Sequence, residues 1–247
     1  MRQSWSLNLV AMVAALAAAV FGYQQIAAGP AEHVLAVSWQ PAFCETRPRL
    51  PECRSQTAER FDASNFALHG LWPQPRSQAY CGVDDRAVEL DKRRRWRDLP
   101  WDRLDQGLWN RLQQAMPGTR SGLHKHEWIK HGTCYDGAGP DEYFEDSLKL
   151  LDALNSSAVR DLFAGSIGRE LSGDQIRAAF DRSFGAGAGQ RVRISCKNDG
   201  SRRLIVELTI GLAGRIEPDS DVAGHILAAD PTDPGCPSGI VDPVGLQ

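Results

Sequence analysis

All six cysteines of this chain, Cys44, Cys53, Cys81, Cys134, Cys196 and Cys236, follow an apolar leader, and that combination limits the folds open to it. Arg2 is the only charged residue before Glu32. An apolar run over residues 9–21 comes next, then the small residues Ala27 and Ala28. A charged start, an apolar middle and a small-residue exit make a secretory signal. Cleavage is expected near Ala28, so residues 1–28 read as a signal peptide and 29–247 as a single domain. The rival is an uncleaved anchor, but the run falls short of the roughly 20 apolar residues that a membrane span needs. No later segment could span, so the processed chain should have no stable membrane association. Its destination is then the periplasm or the extracellular medium, where an even set of cysteines forms disulfides. Three bridges are expected, and spacing alone leaves their pairing open. A zinc site draws little support, because no Cys-x-x-Cys pair is present.

The 28 basic and 31 acidic side chains give a net charge of −3, and losing Arg2 with the leader leaves −4. Bulk charge therefore attracts no polyanion, and any hold on phosphate must come from local patches. Lys92, Arg93, Arg94, Arg95 and Arg97 form one such patch. It reads first as a solvated loop, with electrostatic steering as the alternative, since charge effects are screened beyond ~8–10 Å.

Residues 34–39 and 66–72 alternate and are β-branched or aromatic enough to form strands, each stopped by proline. The stretch 44–53 is expected to be loop, and 77–100 polar and irregular. Trp101, Leu104, Leu108 and Leu112 recur at helical steps and predict a helix over 101–116, stopped by Pro117 and Gly118. Residues 126–134 predict a short helix, 141–154 an amphipathic one, and Ser172 with Gln175 a capping box opening a helix to about Phe184. Residues 185–189 read as a flexible joint. Val192, Ile194 and Cys196, then Leu204, Val206 and Leu208, predict two strands about a turn at 198–201. Strands and helices mix without strict alternation, so the class is α+β: a central antiparallel sheet packed with several helices and held by disulfides.

Two segments carry chemistry. One is Phe66-Ala67-Leu68-His69-Gly70-Leu71-Trp72-Pro73; the other is His126-Glu127-Trp128-Ile129-Lys130-His131-Gly132-Thr133-Cys134. On a helix, Glu127 and His131 share a face, with Lys130 and His126 a turn apart, so one turn gathers two imidazoles, a carboxylate and an ammonium. A solvated charged face is the bland alternative. A metalloprotease needs histidines at i and i+4 around a glutamate. Here Lys130 stands at that place, and a lysine repels a cation. A set of His124, His126 and His131 is the remaining metal reading, and no further ligand is evident. His69 alone reads as a core histidine. With the second segment it makes a two-histidine site suited to RNA cleavage, in which one neutral imidazole takes the ribose 2′-hydroxyl proton and one protonated imidazole supplies the leaving oxygen.

The two segments resemble, in order, the two active-site motifs of the ribonuclease T2 family. Val37-Ser38-Trp39-Gln40-Pro41 with Phe43-Cys44 resembles its N-terminal strand and first cysteine, and the likeness extends over roughly residues 33–242. The resemblance implies a metal-independent endoribonuclease acting on single-stranded RNA. It cuts to a 2′,3′-cyclic phosphate and then to a 3′-phosphate, needs no cofactor or metal, leaves DNA uncut, and works as a monomer. It makes His69 the general acid, His131 the general base, and Glu127 and Lys130 their assisting groups. His126 becomes a phosphate-binding position, and Trp72 a base-stacking aromatic with Tyr80 in the same pocket. It also implies the disulfides Cys44–Cys53, Cys81–Cys134 and Cys196–Cys236. The loop over 76–101 departs most from eukaryotic members and looks bacterial.

Overall fold

The computed structural model describes residues 28–135 and 139–247, so the signal peptide expected over 1–28 lies almost wholly outside the described residues. The chain opens with β1 (His33–Ser38), α1 (Gln40–Thr46), α2 (Pro51–Arg54) and β2 (Ala67–Pro73). Five α-helices follow: α3 (Asp85–Lys92), α4 (Gln106–Ala115), α5 (Leu123–Lys130), α6 (Pro140–Asn155) and α7 (Ala158–Ala164). The C-terminal half holds β3 (Glu170–Ser172), α8 (Gly173–Phe184), β4 (Val192–Asp199), β5 (Arg202–Leu212), α9 (Val222–Ala228) and β6 (Ser238–Ile240). No described helix is long and apolar enough to cross a membrane.

The fold is α+β. The strands form one sheet in the order β2-β1-β5-β6-β3, with β4 also paired to β5. Pairing is antiparallel except where β5 meets β6 at Leu204 and Ile240. Alternation along β1 and β5 turns Leu35, Val37, Leu208 and Ile210 inward, each at most 2% exposed. Phe144, Leu148 and Leu151 of α6 share their core with Phe163 of α7 and Phe180 of α8. Each such side chain contributes about 1.5–3 kcal/mol by leaving water. Phe66 meets Trp39 and Phe163 edge to face, and the Trp39 indole N–H donates to the Asp242 carbonyl, so even this buried ring keeps its polar atom satisfied.

The capping box at Ser172 is present as expected, as are all three disulfides that the family resemblance implied. Several expectations are corrected. The stretch 44–53 is not loop: α1 and α2 run through it, each with a proline in its first turn, where the missing N–H has no intrahelical partner to lose. The irregular stretch 77–100 contains α3, started by Asp84 accepting from the Ala87 N–H. The predicted helix over 101–116 begins only at Gln106, because Asp105 caps it, while Trp101 and Leu104 still pack on the core. The short helix at 126–134 starts earlier and stops earlier, as α5, leaving His131 at its C-cap. Residues 185–189 are no loose joint: an added methyl on Gly189 would lie 2.5 Å from the Arg177 carbonyl.

Candidate active site

A β-bulge sets the first histidine. Ala36 pairs with Gly70 and Val37 with Leu68, so His69 is the extra residue on β2. In a regular strand, residues three apart face opposite sides. The bulge re-aims His69, and its ring meets that of Trp72 edge-on at 5.2 Å. Helix α5 crosses beneath and delivers Glu127, 1% exposed, to the same place. Glu127 Oε2 accepts from the Trp72 indole N–H at 2.8 Å. Its Oε1 has no hydrogen-bond partner and lies 3.6 Å from His69 Nε2 and 3.8 Å from His126 Nε2. Gly70 makes this approach possible, since a methyl there would stand 2.0 Å from Glu127 Oε2.

His69 is held from both sides. Its Nδ1 lies 2.6 Å from Glu207 Oε2 on β5, and a carboxylate only accepts, so Nδ1 carries a proton. Burial alone would lower the His69 pKa, but the Glu207 hydrogen bond and the charges of Glu127 and Glu207 outweigh it, and the pKa rises above 6.5. His126 is tethered likewise. Its Nδ1 donates to Asp91 Oδ1 at 2.6 Å, and its ring stacks on Trp96 at 4.6 Å. Asp91, on α3, is 3% exposed and also accepts from the Tyr80 hydroxyl at 2.8 Å. Burial would raise its pKa, yet the bonds from His126 and Tyr80 bring it below the ordinary carboxylate value. The same environment, burial first and then Asp91, raises the Tyr80 phenol.

His131 is different. It sits at the C-cap of α5, 5.6 Å from the Trp72 ring and 6.2 Å from the His126 ring, and its buried Nδ1 has no hydrogen-bond partner. Burial, then the positive charges of Lys130, His126 and His69, push its pKa down to about 3. Two imidazoles thus flank one indole with opposite tendencies: His69 keeps a proton and His131 sheds one. Their environments, not their residue type, set the difference.

His69, Tyr80, Asp91, His126, Lys130 and Glu207 all line one cavity of about 1250 Å³. Trp72, Glu127 and His131 do not line that cavity; they join the group through the Trp72 ring, which meets both His69 and His131, and through Glu127 beside Trp72, His69 and His126, while the Cys81–Cys134 bridge ties the Tyr80 segment to the end of α5. Tyr80 faces the cavity with its hydroxyl committed to Asp91. His124 does not join them. It lies on the far face of α5, 5% exposed, against Trp101 and Trp109, and burial lowers its pKa to about 4. The set of His124, His126 and His131 is therefore not assembled, and no group of three metal-ligating side chains occurs among the described residues. Glu207, Asp91 and the close fit at Gly70 went unforeseen. The one available signal was an acid between Val206 and Leu208 on an alternating strand.

The sequence pattern of the ribonuclease T2 family matches residues 32–220. Ribonuclease I of Escherichia coli (strain K12) is 32% identical over 201 residues, covering 73% of this chain and 74% of that protein. A probable ribonuclease of Haemophilus influenzae is 32% identical over 164 residues, covering 62% of this chain and 56% of that protein, little more than half its length. Among solved structures, Japanese pear S3-RNase superposes with a TM-score of 0.52 at 17% identity, over 84% of this chain and 98% of that one. RNase NT, solved with 5′-AMP, gives 0.51 at 20% identity, over 87% and 98%. The structural likenesses speak for the fold, and the sequence matches for descent: the chain belongs to the ribonuclease T2 family.

Proposed function

We propose that this protein is a metal-independent endoribonuclease that cleaves single-stranded RNA with His69 as general acid and His131 as general base. The observation that carries the reading is the asymmetry of the two imidazoles: His69 lies between two carboxylates, and none is paired with His131, where burial and nearby cations outweigh Asp91. Neutral His131 takes the proton of the ribose 2′-hydroxyl. The 2′-oxygen attacks phosphorus, and the bond to the 5′-oxygen breaks. His69 gives that oxygen the proton held on Nε2, since Nδ1 is occupied by Glu207. Lys130 and His126 offset charge on the five-coordinate phosphate. In the second step the roles exchange: His69 takes a proton from water as the water oxygen attacks phosphorus, the bond from phosphorus to the 2′-oxygen breaks, and His131 returns a proton to that oxygen, leaving a 3′-phosphate. Glu127 lies within ion-pair range of both His69 and His126 and fixes Trp72 by a hydrogen bond, so that the indole ring offers a face to a base. Tyr80 supports the same pocket through Asp91.

Residues 29–247 would act as one monomeric catalytic domain after export to the periplasm or the medium, a destination that the three disulfides favour. The test is a DNA strand carrying a single ribonucleotide, digested in EDTA. Cleavage should occur only 3′ to the ribose and leave a cyclic phosphate, because the attacking group is the 2′-hydroxyl. Cleavage of all-DNA strands, or loss of activity to the chelator, would overturn the scheme.

Glu207→Gln removes the carboxylate that outweighs burial at His69. The alkaline limb of kcat/KM should move to lower pH, because the acid form of His69 is lost sooner as pH rises. Activity above neutrality should fall about tenfold, as expected for a hydrogen bond to a charged group, and far less near pH 5. A uniform loss at all pH values would mean that Glu207 only supports the fold.

A further inference from the structure

Every carboxylate on the cavity wall already has a partner. Glu207 holds His69, Asp91 holds His126 and Tyr80, Asp233 pairs with Arg193, and Glu52 accepts from the Ser121 hydroxyl. The wall cations are not balanced in the same way. Within the basic run, Arg93 bonds to Glu89, Arg95 to Asp98, and Arg97 to the Arg120 carbonyl, and none of these three lines the cavity. Lys92 and Arg94 do line it, are exposed, and meet no carboxylate among the described residues. The run is therefore sorted residue by residue, which a uniformly solvated loop would not require.

The backbone at Arg94 adds a second observation. Helix α3 ends in a Schellman turn, with the Arg94 N–H donating to the Asp91 carbonyl and the Arg95 N–H to the Leu90 carbonyl. Arg94 occupies the left-handed position of that turn, at φ 57°. Glycine is the usual residue there, because a Cβ is disfavoured in this conformation. A strained arginine persists where its side chain has work to do. Asp91, in the turn just before it, is the residue that tethers His126.

We propose that Lys92 and Arg94 bind the backbone phosphate of a nucleotide neighbouring the scissile one, so that the site engages a polynucleotide rather than a dinucleotide alone. This rests on the ribonuclease reading. The cavity, at about 1250 Å³, exceeds the ~300–1,000 Å³ of a single small-ligand site. Arginine suits the task, since its planar fork matches two phosphate oxygens at once.

The experiment compares kcat/KM on mixed-sequence single-stranded RNA with kcat/KM on dinucleoside monophosphates, which carry no neighbouring phosphate. In Lys92→Ala/Arg94→Gly, the ratio of the two should fall about tenfold, as for one charge-assisted contact. The salt slope on RNA should weaken by about 0.7, the value for one single-strand phosphate. Arg93→Ala removes one neighbouring charge from the outer face and should leave the ratio unchanged. Arg94→Gly alone should raise Tm while lowering the ratio, a pairing that a structural role would not give. An unchanged ratio in the double variant, or an equal fall in Arg93→Ala, would overturn the subsite while leaving the ribonuclease reading intact. Failure of the parent protein to cut either substrate would overturn both.

Discussion

His131→Ala and His69→Ala should each lower kcat by about 10²–10⁴-fold, the range that general acid–base catalysis supplies. Their residual pH profiles should differ, and that difference tests the roles. His69 acts while protonated, and its pKa is raised, so activity in the parent is lost as pH climbs through that raised value. His131 acts while neutral, and burial with three neighbouring cations holds its pKa at about 3, so activity is lost only in strong acid. His69→Ala should therefore erase the alkaline limb and His131→Ala the acid one. A base with so low a pKa is weak, and the substrate corrects it. An RNA phosphate among Lys130, His126 and His69 offsets the charges that depress His131. The acid limb of kcat, which reports the enzyme–substrate complex, should then lie at higher pH than that of kcat/KM, which reports the free enzyme. Either alanine variant turning over within tenfold of the parent would end the two-imidazole scheme.

The sequence showed the groups of this site but not their mutual arrangement. His69, Trp72, Glu127, Lys130 and His131 were legible because they sit in two short segments, and α5 puts the second set within about one turn whatever else the fold does. The bulge at His69 was not legible. Period-two reasoning sends His69 and Trp72 to opposite faces, and only the pairing with β1 shows that they share one. Glu207 and Asp91 were hidden for a different reason. Their partners lie 138 and 35 residues away, and local spacing carries no information at such range. Helix α3 escaped because its buried positions are Ala87 and Asp91, an acid that patterning counts as surface. His124 shows the converse: two residues from His126 in sequence, it belongs to an aromatic core contact on the other face of the helix.

Gly70→Ala should lower kcat by about 10²-fold or more, the lower bound for one lost acid–base or charge-stabilising element, although residue 70 carries no reactive group. Gly70 is not among the glycines with positive φ, so alanine is allowed there by the backbone, and the obstacle is space alone. Its methyl would stand 2.0 Å from Glu127 Oε2, 2.6 Å from Glu127 Cδ and 2.8 Å from the Trp72 indole nitrogen. The strand cannot retreat without breaking its pairing with Ala36, and Glu127, 1% exposed, has no solvent to move into. Glu127 must then release Trp72 and draw away from His69 Nε2. His69 loses one of the two carboxylates that raise its pKa, so the alkaline limb should also move to lower pH. Overpacking of this kind costs about 1–3 kcal/mol, which for a chain of this size lowers Tm by roughly 2–4 °C per kcal/mol. Gly70→Ala/Glu127→Asp separates fit from chemistry. The shorter acid makes room for the methyl and should restore Tm, while its carboxylate, withdrawn by one methylene, should leave turnover low. Recovery of turnover together with Tm would mean that the strand needed only space at residue 70, and that the reach of Glu127 toward the two imidazoles is not what the reaction uses.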